Sequence, residues 1–184
     1  MAQTAHPATP ATKSFKEALI TVAFVVILWC IPEIYQMFSN GIVITRLSPA
    51  LSDGLAVAAL PRAIVIAYVV AFALKYASLI AIAAFLTRAF ASMLRGTLFS
   101  TTVTKSLRFA SYGIVVWIIA RLGIEGLANN HAASVLGVDS WWNTGSGTPL
   151  SDLSPAIILM ATLIAFEAVL QRGKALEEEV DGLV

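Results

Sequence analysis

Charge is what this chain has least of. Lysine, arginine, aspartate and glutamate make up 12% of its 184 residues, against about 25% in ordinary soluble domains, while apolar residues make up 58% and the mean hydropathy is +0.82. A water-soluble globular domain is excluded. The single cysteine, Cys30, excludes an intrachain disulfide and any C-x-x-C metal motif, and it reads as a small packing residue in a helix. Only two histidines are present, His6 and His131, so no paired-histidine or H-E-x-x-H metal site exists. His131, Asp139 and Ser140 lie near one another in sequence, but that is not triad geometry, and they read as a solvated outer loop. No glycine-rich phosphate loop follows a strand pattern. The expectation is a non-enzymatic protein with no cofactor, no metal and no nucleic-acid partner.

What is abundant is long apolar sequence. Four windows reach or approach the roughly 20 apolar residues that cross a bilayer, placing spans at about 18–37, 63–87, 108–127 and 153–171. The first follows Lys13 and Lys16 but is far longer than a signal-peptide core of about 7–15 residues, and no A-x-A site closes it. It reads as a retained helix. Residues 1–14, rich in Ala, Thr and Pro, read as a disordered tail, and residues 15–184 as one all-α, four-helix transmembrane domain.

Eight of the twelve basic residues fall on one side if the N-terminus is inside: Lys13, Lys16, Arg88, Arg95, Lys105, Arg108, Arg172 and Lys174. Arg46 and Arg62 fall outside, which predicts an N-in, C-in topology. The second outer loop, near residues 129–152, is polar, with Trp141 and Trp142 suited to an interfacial anchor. The first, residues 40–61, is too apolar for a solvated loop, and a short interfacial helix is expected under residues 52–60. Ser154 and Pro155 supply a cap and first turn for the last helix.

Between helices two and three the sequence LRGTLFSTTVTKSLRF predicts a short basic cytoplasmic hairpin. Helix two continues to Leu94 or Arg95, Gly96 ends it in a left-handed conformation, and Ser100 caps helix three. No acidic residue occurs from 54 to 124, so Arg88, Arg95, Lys105 and Arg108 face either lipid phosphates or the acidic run at Glu177, Glu178, Glu179 and Asp181. Ordinary positive-inside retention explains the same charges without a dedicated partner.

LRGTLFS, LRFASYG and FEAVLQRGKALEEEVDGLV together resemble the small bacterial membrane family called domain of unknown function 2975. Gly96, Phe99, Ser100, Arg172, Gly173, Leu176, Glu177 and Glu178 carry the match. The ending departs from it, with Gly182 inside Asp181-Gly182-Leu183-Val184. The resemblance implies four spans in a bacterial inner membrane and no defined activity. Some relatives sit beside helix-turn-helix regulators, which implies a regulatory setting by association only.

Several charges stand inside the predicted spans. Lys75 lies roughly 18 Å below the outer end of its helix at about 1.5 Å per residue, near the midplane, where an unpaired charge costs about 2.5–3.5 kcal/mol or more. Glu167, about 20 Å from its own helix start, is the expected partner. Tyr68, Ala71 and Ser78 share the Lys75 face, and alanines at 67, 71, 73, 77 and 81 permit close packing within the bundle or between copies. A second polar layer is expected from Glu33, Arg121 and Glu125, near Pro32, with Arg121 and Glu125 able to pair at i,i+4. Such layers fix helix register, or they line a proton or small-molecule path. No inverted repeat supports a transporter. The favoured function is a regulatory or accessory membrane component acting through its basic hairpin and acidic tail, with the lipid bilayer and either a protein partner or another copy as neighbours. The alternative is a transport element working through Lys75 and Glu167.

Overall fold

The computed structural model describes residues 30–138 and 150–182, with residues 20, 24, 27 and 28 before them. It is mostly helical, and among the described residues three helices are long and apolar enough to cross a membrane. The disordered tail expected at 1–14, most of the first span, and Trp141, Trp142, Asp139 and Ser140 lie outside the described residues.

We label the elements in chain order. Helix α1 covers residues 30–39 and carries Pro32 and Glu33. An antiparallel ribbon follows, β1 (Ile42–Val43) and β2 (Leu55–Ala56), with Ile42 opposite Ala56 and Val43 opposite Leu55. Then come α2 (Arg62–Leu94), α3 (Thr101–Ile118), a π-helical turn (Ile119–Ile124), α4 (Glu125–Val135) and α5 (Leu150–Asp181). The elements α3, the π turn and α4 form one continuous rod, Thr101–Val135.

The ribbon replaces the interfacial helix expected under residues 52–60. Two 3-10 turns, Ser48–Ala50 and Val57–Ala59, take the place of helical turns there. The physical reason is burial. Leu47 and Leu55 are both 0% exposed, packed with Val43 and Leu60 against Ile64, Tyr68, Ala128 and Ala132. A surface helix would have aimed its apolar face at lipid, whereas the folded-back ribbon delivers leucines from both arms to one protein core. Local bonds hold the fold-back: the Ser48 hydroxyl donates to the Val43 carbonyl at 2.7 Å and accepts from the Thr45 amide at 2.9 Å.

The turn between α2 and α3 forms as its sequence predicts. Gly96 has φ of 82°, a left-handed conformation that a Cβ disfavours. The Thr97 amide bonds the Ser92 carbonyl (3.3 Å) and the Gly96 amide bonds the Met93 carbonyl (3.0 Å), the paired bonds of a Schellman stop. Ser100 caps α3, its hydroxyl accepting from the Val103 amide at 3.4 Å. The Ser92 hydroxyl contacts both Thr97 (2.8 Å) and Ser100 (3.4 Å), so the turn is cross-linked to the helix it ends.

Helix ends elsewhere differ from the expected ones. From its expected cap at Ser100 the α3–α4 rod runs on to Val135, so residues 128–135 with His131 are helical rather than a loop. Helix α5 starts at Leu150, which puts Pro155 inside the helix, not at its first position. Its acidic end is helical through Asp181.

Helix α5 also enters the bundle lower than symmetry suggests. Asp152, Pro155, Ala156 and Leu159 line one groove with Leu79, Ile82, Ile114 and Trp117, so the helix begins level with the middle of α2. From there it packs along the inner half of α3, where Leu163 and Leu170 join Val103, Leu107, Ala110 and Ile114 in a second core. Arg46 of the outer segment reaches Asp152 at 3.7 Å.

Candidate functional site

Polar side chains gather in two clusters, and their membership differs from the expected one. Lys75 does not meet Glu167. Its ammonium lies 3.1 Å from Glu33 of α1 and 3.7 Å from Glu125 of α4. Glu167 instead accepts from Arg108, whose Nε is 2.8 Å from Oε1 and whose Nη2 also reaches that oxygen. Gln171, one turn along α5, donates to the same oxygen at 2.8 Å. Counting residues from helix starts misplaced Glu167, because α5 does not start at the same depth as α2. Phe85 of α2 stacks on Phe109 of α3 with centroids 5.2 Å apart, next to Arg108. Phe85 is ten residues beyond Lys75, so the two clusters stand about 15 Å apart along the bundle.

The Lys75 cluster is built by four elements: α1, α2, the π turn and α4. Tyr68, Ala71, Lys75 and Ser78 form the inward stripe of α2 that helical spacing predicts, with Tyr68, Ala71 and Ser78 buried. Ser78 donates to the Lys75 carbonyl at 2.8 Å, so its hydroxyl is used within α2 and joins no ion pair. Arg121 stands in the π turn and donates to Glu125, the i,i+4 pair that the sequence allowed. Glu33, expected beside Arg121, pairs with Lys75 instead. Two carboxylates and two cations therefore balance to zero in one chain: Glu33, Lys75, Glu125, Arg121. Glu125 is only 4% exposed and serves both cations, through Oε2 and Oε1 respectively. The Tyr76 ring adds a further contact, 5.5 Å from the Lys75 nitrogen.

A small cavity lies against this cluster, under Val43, Ile44 and Thr45 of the outer ribbon segment and beside Tyr68 and Phe72. Its room for the centre of a water molecule is about 20 Å³, which suits one water. The π turn coincides in depth with the charges, as such turns frequently do at sites where a helix re-aims its side chains.

Asn129 is the member that sequence reading missed. It is 4% exposed and accepts a 2.9 Å bond from the Tyr68 hydroxyl. The signal was its i,i+4 spacing from Glu125, which puts both on one helix face. Replacing Tyr68 with Phe leaves the Asn129 carbonyl buried and unpaired, so the expected loss is about 1–3 kcal/mol of stability, measured by thermal unfolding in detergent. Adding Asn129→Leu to Tyr68→Phe is expected to recover part of it.

The inner cluster drew in Arg108, which had been expected among the hairpin charges. Among its neighbours, Arg88 is exposed near the end of α2, Arg95 and Gly96 are in the turn, and Lys105 is exposed on the first turns of α3. Arg172, Gly173, Lys174, Glu177 and Glu178 continue α5 past the inner core. The hairpin does touch α5, though not through charge. Phe99 packs its ring against Gly173 so closely that a Cβ there would meet the ring at 2.3 Å. Lys174 bonds Glu178 within the same helix at 3.2 Å, and no ion pair joins hairpin to tail among the described residues.

Set against protein-family models, curated proteins and solved structures, the chain matches none of them.

Proposed function

We propose that this is a four-span inner-membrane protein, N-in and C-in, with its first span at about 18–37, and that it works as a non-enzymatic regulatory or accessory component through its inner face. The observation that carries the reading is the seating of Phe99 on Gly173, which joins the basic hairpin to the acidic end of α5 as one surface. The resemblance to the family called domain of unknown function 2975 includes both residues among the eight that carry it and is consistent with this reading.

The rival reading is transport through Lys75 and Glu167. It needs the two charges on one path. Each is instead paired within its own neutral cluster, about 15 Å apart by helical rise, with room for one water at the Lys75 cluster. Compensated groups in separate clusters fit a role in helix registry better than one route for a proton or solute.

Site-specific photo-crosslinking in the native host separates the two. A crosslinker at exposed Leu98 and one at exposed Leu176 are expected to give an adduct of the same mass, retained in Lys75→Met and lost when Arg88, Arg95 and Lys105 are all changed to Gln. No common adduct, together with Lys75-dependent proton uptake by proteoliposomes, would favour transport.

A further inference from the structure

We propose that the groove between α3 and α5 near the hairpin binds one anionic diacyl phospholipid, its phosphate at Arg108 and one acyl chain running along Val115, Met160 and Ile164. The groove is open to the side and offers about 360 Å³. In a bilayer such an opening faces hydrocarbon, not water, and is filled by lipid.

The lining changes character along its length. Arg108, Tyr112 and Gln171 stand at the hairpin end, whereas Val115, Met160 and Ile164 lie about one to three turns deeper. That order, polar at the surface and apolar toward the middle, is the order of a phospholipid. A soluble anion would have no use for the deeper half.

Arg108 is held in position for this task. Its Nε and Nη2 are both directed at Glu167, whose side chain is 10% exposed and which Gln171 also anchors. The guanidinium is thereby fixed at one edge, while the Arg108 side chain as a whole is 51% exposed. Its Nη1 has no bond to protein among the described residues, and a planar, pre-oriented guanidinium suits a phosphate.

The Glu167 charge opposes an anion, so Arg108 alone yields a neutral pair. The surplus comes from the flanks. Lys105 lies one turn from Arg108 on the same face of α3, and Lys174 lies one turn beyond Gln171 on α5. Lys174 is bonded to Glu178, but both are well exposed, and such a pair is worth little. No acidic residue occupies α2, the hairpin or α3. Basic pockets between helices on the cytoplasmic side are where anionic headgroups bind.

Native mass spectrometry of the full chain, equilibrated in micelles with phosphatidylglycerol or phosphatidylcholine, tests the site. One phosphatidylglycerol is expected to be retained about tenfold more strongly than phosphatidylcholine, a difference of about 1.4 kcal/mol. Arg108→Gln is expected to abolish the preference. Because that change strips buried Glu167 of its partner and could unfold the chain, Ala168→Phe is the second variant: Ala168 is exposed in the groove, so a ring there fills the acyl path and leaves Arg108–Glu167 intact. It is expected to release the lipid at an unchanged melting temperature, while Arg62→Gln, at the far end of α2, retains it. Equal retention of both lipids, an unaffected Ala168→Phe, or displacement of the lipid by inorganic phosphate would each overturn the proposal.

Discussion

Glu125→Gln is expected to lower the unfolding free energy by about 3–5 kcal/mol, the largest effect of any single substitution in the polar clusters. The amide has the shape of the carboxylate, so packing is preserved and the loss isolates charge. Glu125 is the acid shared by Lys75 and Arg121, and it is almost wholly buried. Without it, Lys75 keeps Glu33, but the cluster carries two cations against one acid in a low-dielectric interior. Glu33→Gln is expected to cost less, because Glu33 is the more exposed acid and pairs with one cation where Glu125 pairs with two.

Double-mutant cycles on the same unfolding assay check the wiring. Lys75→Met combined with Glu125→Gln is expected to show a coupling of about 0.5–3 kcal/mol, since residues in one network do not act independently. Lys75→Met combined with Glu167→Gln is expected to be additive within about 0.5 kcal/mol, because those groups belong to separate clusters. The reverse pattern, coupling to Glu167 and none to Glu125, would mean that the helices meet in a different register.

Much of this was legible in sequence because membrane helices are constrained so strongly by composition. The length of α2, the stop at Gly96 and the cap at Ser100 follow from local chemistry that no distant contact overrides. So does the inward stripe of Tyr68, Ala71, Lys75 and Ser78, since helical spacing alone assigns residues to a face. Partners were a different matter. Pairing Lys75 with Glu167 required the relative depth of two helices, and depth is set by tertiary packing: Leu163 and Leu170 seat α5 against the inner half of α3. Arg108 was grouped with the hairpin charges because a basic residue at a span end normally faces the membrane surface there. The ribbon was unreadable for a similar reason, as Leu47 and Leu55 look like surface anchors until the core they fill is known.

Gly173→Leu is expected to free the inner hairpin. There is no room for a side chain at this position, since even a Cβ would overlap the Phe99 ring, and α5 is a helix that cannot yield locally. Overpacking of this kind costs about 1–3 kcal/mol when neighbours can shift, and here the cheapest shift is to expel Phe99 and the turn that carries it. Limited trypsin digestion of right-side-in vesicles opened from the inner face reads the result directly, through faster cleavage after Arg95. Phe99→Ala is expected to speed cleavage after Arg95 as well, because it removes the ring that seats the turn on Gly173. Reversing Glu177, Glu178 and Glu179 to Lys is expected to leave cleavage nearly unchanged, because the bonded tail acid, Glu178, answers Lys174 in its own helix and not the hairpin. If the charge reversal opened the hairpin and Gly173→Leu did not, the joint between hairpin and tail would be electrostatic. The inner face would then be tuned by salt, and not by the fit of one ring into the gap left by one missing side chain.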